Sequence, residues 1–275
     1  MNASVRKFLR NALILLGCGL LAIYFVVFGL LVYYQRSFLF FGGRHEAAMN
    51  ALYHAETITE PDGVTLTAWE AIAPKPRAPV IVFFYGNAGT MSDFADTGER
   101  LHDEGYSIVL ASYRGYSGNP GLPTEDGLMN DARSILKSLP HDHGAIILWG
   151  QSLGSGIAAR MASEGRANAL ILQSPYTAVV DVAARRFPLY PVRWVMRDRF
   201  DTFSLAPKIK VPVLIVHGTE DDVVPFDMGV ALSRRFGAEA TFVPVLGRGH
   251  NDLRASDLVP IAGKWLKANA ARIAR

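Results

Sequence analysis

A single cysteine, Cys18, stands in 275 residues. One thiol cannot close an internal disulfide or build a zinc site of the Cys-x-x-Cys kind, so neither supports the fold. Charge is also scarce: 19% of residues are Asp, Glu, Lys or Arg, with 28 Lys+Arg against 25 Asp+Glu. The small surplus is local. Arg6, Lys7 and Arg10 lie in the first ten residues, which hold no acid; without them 25 basic and 25 acidic residues remain. The sequence pI of about 9.0 therefore reports a short tail rather than a basic globular face, which argues against nucleic acid as a partner. The chain has no internal repeat and no low-complexity tract. Half of its residues are hydrophobic, 50%, enough to bury a sizeable core and to exclude disorder as the dominant state.

Much of that apolar content is concentrated. Asn11 to Gln35 runs 25 residues without a charge, roughly 37 Å if helical, long enough to cross the hydrocarbon core of a bilayer with some tilt. Tyr33, Tyr34 and Arg36 suit an interfacial belt, and the basic residues ahead of the stretch predict a cytoplasmic N-terminus. A cleaved signal peptide shares the basic start, but its apolar region is shorter, about 7–15 residues, and ends in small residues. Here Phe38-Leu39-Phe40-Phe41 follows instead. The expectation is a basic cytoplasmic tail over 1–10, a membrane anchor over 11–35 with Cys18 facing lipid, a linker over 36–54, and a catalytic-sized domain over 55–275 on the far side, periplasmic in a bacterium. Gly42-Gly43 marks the link.

Beyond it the pattern alternates. Glu56–Thr59 and Val64–Ala71 flank Pro61-Asp62-Gly63 and read as a hairpin. Val80–Tyr85, Ser107–Ser112, Ala145–Trp149, Ala169–Gln173, Val213–His217 and Ala240–Val245 are continuous apolar runs, the signature of strands buried on both faces. Helical stretches at about 91–104, 124–138, 152–163, 227–236 and 257–270 separate them. This is the pattern of an α/β domain, a mostly parallel sheet covered by helices on both sides.

The chemistry is concentrated in a few loops. The strand ending at Trp149 runs into Gly150-Gln151-Ser152-Leu153-Gly154 and then into good helix sequence. This is G-x-S-x-G in a strand–turn–helix context, which stands the serine hydroxyl up at a sharp turn and at a helix N-terminus. Ser152 is the candidate nucleophile. A serine hydroxyl needs a base and a group to orient that base, and on such an elbow they follow in the order Ser, Asp or Glu, His. Asp221, in the loop after Val213–His217, is the candidate acid, with Asp222 and Glu220 beside it as alternatives. His250, in the glycine-loosened loop Gly247-Arg248-Gly249-His250-Asn251, is the candidate base. His45, His54, His102, His141 and His143 read as surface residues, and His217 as a packed or hydrogen-bonded one. The tetrahedral intermediate needs donors for its oxyanion: the backbone N–H groups of Leu153 and of Asn87, in Tyr85-Gly86-Asn87-Ala88-Gly89, are expected to supply them.

These blocks, with Tyr113-Arg114-Gly115-Tyr116-Ser117-Gly118 and His217-Gly218-Thr219-Glu220-Asp221, give a chain that resembles the α/β-hydrolase superfamily over roughly 55–270. Within it the likeness is to compact membrane-anchored serine hydrolases grouped with serine-aminopeptidase-like and lysophospholipase-like domains. The resemblance implies Ser152, Asp221 and His250 as the triad and, for some members of the branch, protein depalmitoylation or lipid ester hydrolysis. Two positions depart from the pattern: Tyr85 stands where many relatives have histidine, and Ser112 where many have aspartate. Arg114 is open to two readings, organiser of the oxyanion loop or plain surface arginine.

The function expected is cleavage of an acyl ester or thioester through an acyl-enzyme, on an acyl-bearing small molecule, a lipid or an acylated protein. A serine peptidase acting on small peptides and an inactive hydrolase-fold scaffold are the alternatives. No metal or organic cofactor is implied. Only about 33 residues separate Gln173 from Pro207, too few for a large lid. That stretch mixes Phe187, Leu189, Tyr190, Trp194 and Phe200 with five arginines, which suits either a membrane-facing surface that admits an acyl chain or the packed face of an ordinary helix.

Overall fold

The computed structural model describes residues 3–42 and 48–274; Gly43 and His45 lie outside them. Helix α1 (Ala3–Tyr33) carries Arg6, Lys7 and Arg10 on its first turns and continues without a break through the apolar stretch. Over Ser4–Tyr33 the most apolar window has a mean hydropathy of 2.6, and none of the described residues buries that window. Leu13, Ile14, Leu15 and Leu16 are consecutive and each more than half exposed, so every face of the helix there is bare and apolar. Cys18 is exposed among them.

A short helix α2 (Gln35–Leu39) follows, and Phe40 and Tyr53, in the stretch read as linker, are buried against the core. The hairpin forms as its turn signal predicts: β1 (His54–Thr59) and β2 (Thr65–Ala71) pair antiparallel. Then come β3 (Val80–Phe84), α3 (Ala95–Asp103), β4 (Ser107–Ala111), α4 (Glu125–Ser138), β5 (Ile146–Gln151), α5 (Leu153–Ser163) and β6 (Ala169–Gln173). Three short helices, α6 (Val179–Arg186), α7 (Val192–Val195) and α8 (Thr202–Leu205), precede β7 (Val213–Gly218), α9 (Phe226–Phe236), β8 (Ala240–Val245) and α10 (Ala255–Ile273).

The eight strands form one sheet in the order β1-β2-β4-β3-β5-β6-β7-β8. β1 and β2 are antiparallel, and from β4 to β8 every pairing is parallel. β3, β4, β6 and β7 are buried along their whole length, as their uninterrupted apolar runs require. Ala240–Val245 departs from the expectation of burial on both faces: it is the edge strand β8 and is only half-buried, because among the described residues no strand lies beyond it. At the sheet centre Phe83, Phe94 and Trp149 pack as a ring cluster with centroids 4.9 and 5.0 Å apart.

The strand order fixes where chemistry can occur. From β3 the chain steps to β4 on one side, then returns to place β5 on the other side of β3. The crossover helices α3 and α4 therefore leave in opposite senses and open a crevice beyond the carboxyl ends of β3 and β5. Gly86-Asn87 follows β3 and Ser152 follows β5.

Candidate active site

Ser152 sits between β5 and α5 with φ 49° and ψ −118°, a left-handed conformation that a non-glycine residue holds only under constraint. The constraint is visible on both sides. A Cβ on Gly154 would run into the Phe84 carbonyl, and one on Gly86 would lie 3.3 Å from the Ser152 Cβ. At 154 only glycine lets the serine turn lie against β3, and at 86 a side chain would push the turn by a few tenths of an ångström. The Ser152 amide is held by the Gln173 carbonyl at 2.9 Å.

The three side chains singled out from the sequence meet. His250 Nε2 lies 3.0 Å from Ser152 Oγ, and His250 Nδ1 lies 2.8 Å from Asp221 Oδ2. A carboxylate can only accept, so Nδ1 carries the proton and Nε2 is left as the acceptor facing the serine. Asp221 is buried, whereas its sequence neighbours Asp222 and Glu220 point to solvent; of the three, Asp221 reaches His250. Burial alone would push its carboxyl up, but hydrogen bonds from His217 and His250, the charge of His250 and the Val224 amide outweigh that and hold it well below the usual carboxylate range. Asp221 Oδ1 accepts from the amides of Val223 at 3.0 Å and Val224 at 2.7 Å. The Leu153 amide heads α5, where helix N–H groups have no intrahelical acceptor. Asn87, Gly86, Ser152 and His250 line one open cleft of about 760 Å³.

Comparison with known proteins agrees with this architecture. A family model described as the alpha/beta hydrolase fold matches residues 79–205. An uncharacterized protein of Mycobacterium tuberculosis is 35% identical over 196 residues, 70% of each chain. The human alpha/beta hydrolase domain-containing protein 17B is 35% identical over 181 residues, 63% of this chain and 60% of the relative.

The chain belongs to the α/β-hydrolase family.

Among solved structures, the Pyrococcus furiosus esterase Pf2001 superposes with a TM-score of 0.64 over 82% of this chain and 98% of the esterase, at 20% identity. The two departures of this α/β hydrolase from the family pattern turn out to be partners. The Tyr85 hydroxyl and Ser112 Oγ are 2.8 Å apart and both buried, so where the usual pattern places a histidine and an aspartate this chain has a phenol bonded to a hydroxyl. Tyr113 donates to the Tyr85 carbonyl at 3.1 Å, and Asn119 donates to Ser112 Oγ at 3.1 Å. The start of the loop that follows β3 is thereby supported by a neutral network.

Arg114 fits neither reading made for it. It is buried, and its guanidinium bonds Asp131 on α4 at 2.7 Å and Asp62 in the β1–β2 turn at 2.8 Å, so it ties a helix to the hairpin rather than bracing the loop after β3. His217 is packed, as expected, but it also does something the sequence did not show. Its Nε2 lies 3.0 Å from the Val224 carbonyl and 3.2 Å from Asp221 Oδ2, which makes it a second histidine on the same carboxylate. The i, i+4 spacing of His217 and Asp221 across a strand end was the available signal.

The 174–206 stretch is neither one ordinary helix nor a bare surface. Part of it packs on α1, where Tyr190 stacks on Tyr24 with centroids 4.9 Å apart, while Leu189 and Trp194 stay exposed at 79% and 89%. Among the described residues no cluster of His, Cys, Asp and Glu side chains has the arrangement of a metal site.

Proposed function

We propose that this α/β hydrolase is a membrane-anchored serine hydrolase that cleaves acyl esters or thioesters through an acyl-enzyme. The observation that carries the reading is the continuous hydrogen-bonded relay Asp221–His250–Ser152, with the serine strained upward at the switch point of the sheet. In this reading His250 Nε2 takes the Ser152 proton as Oγ attacks the acyl carbon. The negative oxygen of the tetrahedral intermediate is held by the Leu153 and Asn87 amides, and Asp221 steadies the imidazolium. Collapse expels the alcohol or thiol, which leaves with the His250 proton. Water then gives a proton to His250 and attacks the acyl-enzyme; release of the acid returns a proton to Ser152 Oγ. The bare, charge-free face of α1 supports its role as the anchor, and Arg6, Lys7 and Arg10 support a cytoplasmic start.

The test is a fluorophosphonate probe on wild type and Ser152→Ala, followed by p-nitrophenyl esters, acyl thioesters and aminoacyl p-nitroanilides. Ser152-dependent labelling with ester or thioester turnover is expected. Turnover of the anilides alone would make the chain a peptidase, and absence of labelling would leave a scaffold. A C-terminal alkaline phosphatase fusion that is active in bacteria is the expected outcome for topology; an inactive one contradicts far-side placement.

A further inference from the structure

Helix α1 and the first residue of α2 share one covered face. Tyr24, Phe28, Leu31, Val32 and Gln35 are half-buried, whereas Phe25, Val26, Leu30 and Tyr33 between them are exposed. The spacing of four, three, one and three residues is a single helical stripe, and it faces α6 and α7. Polar contacts fasten the stripe at its ends. The Tyr24 hydroxyl donates to the Leu189 carbonyl at 3.0 Å, and Gln35 Oε1 accepts from the Arg197 amide at 2.8 Å.

Between these fastenings the apolar side chains do not close on one another. They leave a cavity of about 230 Å³, with Phe28, Leu31 and Val32 on one wall and Val182, Ala183 and Val195 on the other. Close packing is the normal state of apolar surfaces brought together, and an unfilled gap forfeits dispersion contacts on both sides. Asn87 lines this cavity and also the cleft that holds Ser152, so the residue assigned to the oxyanion hole is the partition between the two spaces.

We propose that this cavity is the binding site for the acyl chain of the substrate, and that the transmembrane helix itself forms one wall of it. The proposal rests on the serine-hydrolase reading above and adds the substrate class: a single hydrocarbon chain whose carbonyl lies at Ser152 and whose tail passes Asn87. The occupant follows from the surroundings. The wall formed by Phe28 and Leu31 belongs to the bilayer helix, and the neighbouring cap exposes Leu189 and Trp194 alongside it, a combination that seats in the lipid interface. The chains available at that depth are lipid acyl chains.

The experiment uses the full chain in lipid nanodiscs with p-nitrophenyl esters from acetate to decanoate. For wild type, kcat/KM is expected to rise with length by up to roughly fourfold per methylene that enters the cavity. Ala183→Trp, from the cap wall, and Leu31→Trp, from the helix wall, are each expected to lower the decanoate-to-acetate ratio at least tenfold. Leu16→Trp, on the lipid side of the same helix, is expected to keep the wild-type ratio. Ratios within twofold of wild type for both cavity variants overturn the proposal. Because α1 packs outside the hydrolase core, Leu31→Trp keeps the test valid if Ala183→Trp fails to fold. A decanoyl-length fluorophosphonate with a terminal diazirine separates the two levels. Crosslinks to residues 28–32 or 182–196 support the acyl site, crosslinks elsewhere with Ser152 labelled sink it alone, and no labelling of Ser152 sinks the hydrolase reading beneath it.

Discussion

The side-chain amide of Asn87 donates to the Leu39 carbonyl at 2.9 Å, and the Asn87 carbonyl accepts from the Phe41 amide at 3.2 Å. The segment that leaves α1 thus clasps the loop assigned to the oxyanion hole from both ends of one residue. Loss of that clasp should loosen the loop without deleting its backbone donor. Asn87→Ala is expected to lower kcat about tenfold, less than the 10²–10³ that follows removal of an oxyanion donor itself, with KM for a short ester little changed. A selective rise in KM would place Asn87 in substrate binding only.

Asp221 is separable from its acidic neighbours by geometry. Asp221→Asn is expected to reduce kcat by about 10⁴, because an amide facing His250 Nδ1 favours the wrong tautomer. Asp222→Asn and Glu220→Gln, both exposed, should stay within a factor of about two of wild type. Steady-state kinetics on one ester for all three variants checks this.

The same carboxylate sets part of the acid stability. Its folded pKa is depressed, so its contribution is fully present above the unfolded value of about 3.9 and is lost as pH falls through that value toward the folded one. Thermal melts between pH 7 and pH 3 should show wild type losing more Tm than Asp221→Asn. An equal loss in both would assign the acid limb to other groups.

In the proposed mechanism His217 acts through Asp221 and is a positioning residue. His217→Phe removes one donor from Asp221 and leaves the Val224 carbonyl without its side-chain donor, which should cost about 1–3 kcal/mol of stability. It should also raise the Asp221 pKa toward the unfolded value, so the Tm lost between pH 7 and pH 3 becomes smaller than in wild type. A shift in melting temperature with an unmoved pH profile would reduce His217 to packing.

The Tyr85–Ser112 pair predicts a coupling. Tyr85→His and Ser112→Asp, each bringing in the family's usual residue alone, should destabilise by about 1–3 kcal/mol. The double variant should recover part of that loss, a nonzero interaction term in urea unfolding. Strict additivity would mean that the two positions are independent.

The fold was legible because its physics is local. Five buried strands announce themselves as unbroken apolar runs, and the serine turn needs glycines that nothing else could replace. His250 and Asp221 followed from their order behind Ser152 and their position in loops after strands. What the sequence hid depends on three-dimensional neighbours. The burial of β8 is decided by the absence, among the described residues, of a strand beyond it, and Arg114 found carboxylates 52 residues before it and 17 after it. The stripe from Tyr24 to Gln35 left no contrast to read, because an anchor is apolar on every face and its covered side looks like its bare ones.

One buried carboxylate, Asp198, receives Arg36 at 2.7 Å and the Glu125 amide at the head of α4 at 2.8 Å. If α1 lies in a bilayer as proposed, this clamp denies the hydrolase the free swing of a domain on a tether. On the proposed reading, with Ser152 as nucleophile and α1 as anchor, the serine is held at one altitude and one bearing over the lipid surface. Such an enzyme selects by address as well as by chemistry: a susceptible bond presented a few ångströms too high or too deep is out of reach, and membrane thickness becomes a determinant of turnover.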